Sequence, residues 1–108
     1  MAGLDDGASR ATVGRSLDAS GSPVIAIIGE IDVSNVASIE VELDRVLADH
    51  PARLVFDLSE LSFIDSSGIA ILLRAAEKAD QIELRNPSAI VRRVIVATGL
   101  SDVLRVES

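Results

Sequence analysis

The sequence predicts an α/β domain with a mixed, mostly parallel sheet of four to five strands and helices packed against it. Three observations carry this. From residue 24 onward, short β-branched apolar runs alternate with segments of helical period, the signature of strand–helix–strand crossovers. The first two strand candidates are separated only by Ser20-Gly21-Ser22-Pro23, too little chain for a crossover, so that pair is antiparallel. Finally, 108 residues, 48% of them apolar, suffice for one modest core and one domain.

Residues 1–10 are Gly- and Asp-rich and read as a flexible tail, which leaves 11–108 for the domain. Residues 11–19 alternate weakly, as an edge strand does. Val24 to Ile28 is a continuous β-branched run, expected to be covered on both faces and to stop at Gly29. Next, Val36, Ile39, Leu43, Val46 and Leu47 recur at helical spacing, with Asp32 or Ser34 as cap and His50-Pro51 as stop.

Residues 53–58 form a second buried strand, and 59–64 a loop leading to Asp65-Ser66-Ser67-Gly68. A helix follows, with Ile69, Leu72, Leu73 and Ala76 as its apolar stripe and Ile71 and Ala75 beside it. Residues 81–85 are a third internal strand. Asn86-Pro87 suits a helix start, with Ile90, Val91, Val94 and Ile95 inward. Gly99 suits a left-handed helix stop with Leu100 packing back, and 103–106 a short last strand.

Composition excludes several functions. A net charge of −7 and only two aromatic residues, Phe56 and Phe63, argue against direct nucleic-acid binding, which needs cations and stacking platforms. The absence of cysteine removes disulfides, thiolate metal sites and cysteine nucleophiles. No apolar run approaches the ~18 residues of a membrane span, and Met1 to Arg10 lacks a signal-peptide core. A cytoplasmic protein without membrane insertion is expected. Neither Asp5-Asp6 nor Glu40, Glu42 and Asp44 converge at ligand spacing, so no metal or cofactor is expected.

The chemistry concentrates in Phe56-Asp57-Leu58-Ser59-Glu60-Leu61-Ser62-Phe63-Ile64-Asp65-Ser66-Ser67-Gly68-Ile69. It sets two adjacent hydroxyls at a helix N-terminus, where free N–H groups and the helix dipole favour an anionic ester. Gly68 is expected to keep the approach to the hydroxyls open. The same four residues, Asp65 to Gly68, also suit an ordinary helix cap, and spacing alone leaves both readings open.

This stretch resembles the phosphorylation loop of the STAS-domain anti-sigma factor antagonists (the SpoIIAA/RsbV family). There a strand ending in Asp-Leu leads to Asp-Ser-Ser/Thr-Gly-Leu/Ile. Gly29-Glu30-Ile31-Asp32 resembles that family's Gly-Glu-Leu-Asp, and Arg92 to Leu100 its third helix ending in Gly-Leu. The likeness runs from about residue 10 to the C-terminus. Two departures are Ile69, where Leu is commoner, and an end at Ser108, where family members continue into a further helix.

The resemblance implies a STAS-like fold and a phosphoswitch. Ser66 is the implied phosphorylation site, and Asp32, Asp65, Ser67 and Gly68 the surrounding loop that meets the partner; Ser62, Asn35 and Ser67 are expected to be exposed beside it. The implied partner is an anti-sigma factor with GHKL-type serine kinase activity, and a PP2C-type phosphatase resets the switch. The chain itself would be no enzyme. Its only histidine, His50, belongs to a helix end before the preceding strand, and Lys78 lies about three turns along the helix from Ser66. A second reading within the family is a scaffold subunit of a lipid-transport ABC system, an anion transporter or a stress-signalling complex.

Overall fold

The computed structural model describes residues 11–99 and the backbone of 105–107. In chain order these form β1 (Ala11–Leu17), β2 (Pro23–Ile31), α1 (Val36–Leu47), β3 (Arg53–Asp57), β4 (Leu61–Ile64), α2 (Ser66–Lys78), β5 (Gln81–Arg85), α3 (Ala89–Ala97) and β6 (Arg105–Glu107). The expectations for residues 1–10, Leu100 and 103–104 lie outside the described residues.

The strands order as β1-β2-β3-β5-β6, with β4 added on β2. Only β1–β2 is antiparallel; the other pairs are parallel. The path therefore has the expected five strands, and β4 is a short sixth in the segment expected to be a loop. Each crossover from β2 to β3, β5 and β6 steps the same way, so right-handed connections put all three helices on one face. On that face Ile25, Ile27, Leu54, Phe56, Ile82 and Leu84 meet Ile39, Leu43, Leu47, Leu72, Ala75, Val91 and Ile95 in one apolar core, aliphatic but for Phe56.

Three local departures have clear causes. Gly29 does not end β2. Its φ of 110° lets the strand pass a register shift between Gly29 and Glu30 and continue to Ile31, as a bulge does. The helix α3 starts after Ser88, whose hydroxyl accepts from Val91 N at 3.3 Å. Asn86, the expected cap, takes φ 56° in the turn after β5, a left-handed state that Asn tolerates. In α2 the buried stripe is Gly68, Ile69, Ile71, Leu72 and Ala75; Leu73 faces outward, as Ile90 does on α3.

The other sheet face is not fully covered as the apolar run had suggested. Val24 and Val55 are buried there, but Ile28 is exposed. Glu83 shares this face, 3% exposed, and a carboxylate so placed requires partners. Arg53 bridges it to Asp18, and Arg85 lies 3.3 Å from it. Asp18 also organises the β1–β2 turn, accepting from Ser20 N and Ser22 N at 2.9 and 3.0 Å.

Gly68 is a packing requirement. A Cβ there would stand 2.6 Å from Ile64 Cγ1 and 2.9 Å from Ile31 Cγ2. The first turn of α2 thus presses directly on the ends of β2 and β4. The sequence reading, in which Gly68 clears the way to the hydroxyls, is corrected: the residue is buried and its open side faces the core.

Two outcomes follow. Gly68→Ala should overpack at a cost of ~1–3 kcal/mol, against ~1 kcal/mol regained in helix propensity. A net loss of ~1 kcal/mol lowers Tm by about 4–8 °C, readable by calorimetry; a raised Tm would refute the close-packing account. The hydrogen bonds from Ser20 and Arg53 hold the Asp18 carboxyl well below the usual carboxylate range. Its folded-state pKa is depressed, so its stabilisation is present above its ordinary pKa and is lost as pH falls below about 4. Asp18→Asn should lower Tm at neutral pH and flatten the fall of Tm with acid.

Candidate functional site

The site is assembled where the C-terminal ends of β2 and β4 lie side by side. Glu30 and Ile31 pair with Phe63 and Ile64. Asp65 follows β4 in extended conformation (φ −109°, ψ −171°) and is the N-cap of α2. Its carboxylate accepts from Ser67 N at 2.9 Å and Gly68 N at 3.3 Å, satisfying two of the first-turn donors that a helix leaves open. It also accepts from the Ser67 hydroxyl, and the backbone N–H of Val33 in the neighbouring loop adds slightly to the field that favours its charged form. Led by the Ser67 hydroxyl, these donors hold the Asp65 carboxyl below its ordinary pKa despite the opposing effect of desolvation.

This arrangement separates the two serines. The Ser67 hydroxyl is turned back onto Asp65 and the residue is half-buried. Ser66, the first residue of α2, is exposed. Its hydroxyl takes part in none of the side-chain hydrogen bonds among the described residues. Of the two adjacent hydroxyls, only that of Ser66 is presented outward.

The sequence reading supposed that an ester at this helix end would meet free N–H groups. In the structure those of Ser67 and Gly68 are already engaged by Asp65. A dianion on Ser66 would compete with a carboxylate beside it, so it gains less from the helix end than supposed and projects outward.

Asp32 heads the neighbouring loop. Its carboxylate accepts from Ser34 N at 2.9 Å and from the Ser34 hydroxyl. Its carbonyl accepts from Asn35 N and Val36 N. The regular helix α1 begins at Val36 with Asn35 as formal N-cap and no side-chain cap bond; the capping is done one turn earlier by Asp32, one of the two residues expected to do it. The loops are stitched together by Asp65 N to Ile31 O at 3.2 Å and Ser62 Oγ to Gly29 O at 2.9 Å. The structure therefore brings Asp32, Asp65, Ser66, Ser67 and Gly68 to one end of the sheet.

Ser62 is exposed as expected, but Asn35 is not. It is 3% exposed, because its amide is used inside the loop. Its Nδ2 donates to Glu30 O at 2.8 Å and its Oδ1 accepts from Asp32 N at 3.1 Å. The sequence carries only half of a signal for this: an amide three residues after an Asp sits where the capping box puts Glu or Gln, but Asn is not a residue that marks it. Around the site the side chains of Val33 and Phe63 are exposed, at 78% and 43%, which leaves apolar surface beside the hydroxyl.

No histidine or lysine serves the hydroxyl as a base. His50 lies at the opposite end of the sheet, between the end of α1 and the start of β3, and Lys78 ends α2, ~18 Å of helix from Ser66. Among the described residues no group of three or more His, Asp or Glu is placed to hold a metal ion, and no helix is long and apolar enough to cross a membrane.

Comparison with known proteins agrees with this fold. The STAS domain family model matches residues 16–108. The anti-sigma-F factor antagonist RsfB of Mycobacterium tuberculosis is 36% identical over 94 residues, spanning 84% of this chain and 77% of that protein. The crystal structure of an anti-sigma factor antagonist from Mycobacterium paratuberculosis superposes with a TM-score of 0.84 at 31% identity, covering 93% of this chain and 86% of that one. The anti-sigma factor antagonist SpoIIAA in its unphosphorylated form shares the fold, with a TM-score of 0.75, 24% identity and coverage of 90% and 89%. The family model spans nearly the whole described domain, and the chain is a member of the STAS-domain family.

Proposed function

We propose that this chain is an anti-sigma factor antagonist whose association with an anti-sigma factor is switched by phosphorylation of Ser66. The observation that carries the reading is the split between the two serines, one hydroxyl held inward by Asp65 and the other presented outward at the first helical position. The relatives named as anti-sigma factor antagonists favour this role over a transport scaffold. The partner is an anti-sigma factor with GHKL-type serine kinase activity, and a PP2C-type phosphatase resets the switch. The chain acts by binding in the cytoplasm and performs no catalysis of its own.

The switch needs no rearrangement. Phosphorylation adds about −1.5 to −2 charges at neutral pH. A partner carboxylate ~7 Å away, at an effective dielectric near 20, is opposed by ~2 kcal/mol per unit charge. Two charges give ~4–5 kcal/mol, about a thousandfold in affinity before screening. The helix-end donors do not neutralise this charge, because Asp65 already holds those of Ser67 and Gly68. The negative charge stays on the docking surface, where steric bulk acts in the same direction. In the unphosphorylated state the exposed Val33 and Phe63 offer apolar contact around the hydroxyl.

Incubation with purified anti-sigma kinases of the source genome and ATP, followed by mass spectrometry of the serine peptide, tests the assignment. The wild type and Ser67→Ala should each gain one phosphate on Ser66, and Ser66→Ala none. By calorimetry Ser66→Ala should bind the anti-sigma factor at least as tightly as wild type, and Ser66→Asp at least tenfold more weakly. Stoichiometric phosphorylation of Ser66→Ala would refute the site.

A further inference from the structure

We infer that Asn35 is a positioning residue for the phosphoacceptor turn, acting through the end of β2 on Asp65 without touching Ser66. The inference rests on the function proposed above and extends it to a residue that the sequence reading placed on the exposed surface. Asn35 and Glu83 are the buried polar or charged residues among those described. Glu83 serves the ion network on the far sheet face, whereas Asn35 serves the site.

The Asn35 amide bridges Glu30 O at 2.8 Å and Asp32 N at 3.1 Å, so it clamps the two residues on either side of Ile31. That segment needs a clamp: it lies just past the register shift at Gly29/Glu30, where the ladder is interrupted. Ile31 O then accepts from Asp65 N at 3.2 Å, which ties the clamped segment to the residue that caps α2. Asp65 in turn holds Ser67 and Gly68. The direction in which Ser66 faces is therefore set three links away, by an amide. Neither half of that amide is dispensable. Removing it leaves Glu30 O and Asp32 N without their side-chain partner in a part-buried place, at a cost that a loosened turn relieves.

A merely structural role and a positioning role differ in what they disturb. The readouts are the titration of the Asp65 carboxyl, followed by its 13C chemical shift, and amide exchange at Asp65, Ser67 and Gly68, in the whole chain. In Asn35→Ala the Asp65 midpoint should rise towards its ordinary value and exchange at the three amides should accelerate at least tenfold, with Leu54 and Phe56 in β3 unchanged. Asn35→Asp keeps the acceptor for Asp32 N but loses the donor to Glu30 O, and should fall between. Leu47→Ala, a core truncation at the other end of α1, should lower Tm as much while leaving Asp65 unmoved. Phosphorylation of Ser66 by its kinase should slow at least tenfold in Asn35→Ala and not in Leu47→Ala. The inference is overturned if Asn35→Ala leaves the Asp65 titration and the three amides as in wild type, or if Leu47→Ala shifts them equally. The titration needs no kinase, so a failure of the Ser66 assignment and a failure of the Asn35 role are read separately.

Discussion

The site depends on one residue shared between two segments of chain. The Asp65 carboxylate takes N–H groups from its own helix, at Ser67 and Gly68, and its backbone N–H donates to Ile31 O at the end of β2. A cap that served only the helix would contribute ~1 kcal/mol and leave the turn free to move relative to the sheet. Because this one also bonds across to the β2 end, it fixes the first turn of α2 to the rest of the fold. The close approach at Gly68, where Ile31 and Ile64 leave no room for a methyl group, fixes the same turn from below. Ser66 is left on the upper side with its hydroxyl outward.

The fold suits this end of the sheet to the proposed switch. The parallel strands all end at the same edge of the sheet, and the segments that leave those ends gather there. The helices cover one face, so the core beneath the site is buried and, Phe56 apart, aliphatic; packed interiors yield little, so a change of charge acts on a partner rather than on the base beneath it. The acidic balance of the chain, −7 overall, means that an added phosphate reinforces an existing field. Screening by salt then weakens the effect only partly, since the charge acts at contact distance within a closed interface.

Much of this was legible in the residues. Strand–helix alternation gave the parallel sheet, the short Ser20–Pro23 turn the antiparallel pair, and Asp-Ser-Ser-Gly at a helix start the candidate serine. What was not legible has physical causes. The strand Leu61–Ile64 reads as a loop because its burial runs in, out, out, in, which breaks the two-residue period where the register shifts beside it. Asn35 is polar and follows a turn, so propensity puts it outside; only its hydrogen bonds to Glu30 and Asp32 bring it in. Leu73 and Ile90 joined the expected stripes because they are apolar, but the stripe each helix buries is narrower and is set by which turn meets the sheet. The occupation of the helix-end donors by Asp65 was implicit in the residue's place as N-cap. Its consequence for a phosphate required the geometry.

The central claim is that charge on Ser66 acts outward while the Asp65 hydrogen bonds stay as they are. Amide hydrogen exchange of the chain phosphorylated on Ser66, compared residue by residue with the unmodified chain, tests it most directly. If the claim holds, protection at Asp65, Ser67 and Gly68 changes by less than about twofold, a free-energy difference under ~0.5 kcal/mol. Loss of protection at Asp65, whose N–H is held by Ile31 O, by an order of magnitude, with Ser67 and Gly68 still protected, would show that the phosphate has taken those two donors from Asp65 and released the neighbouring loop, and the switch would then be a rearrangement.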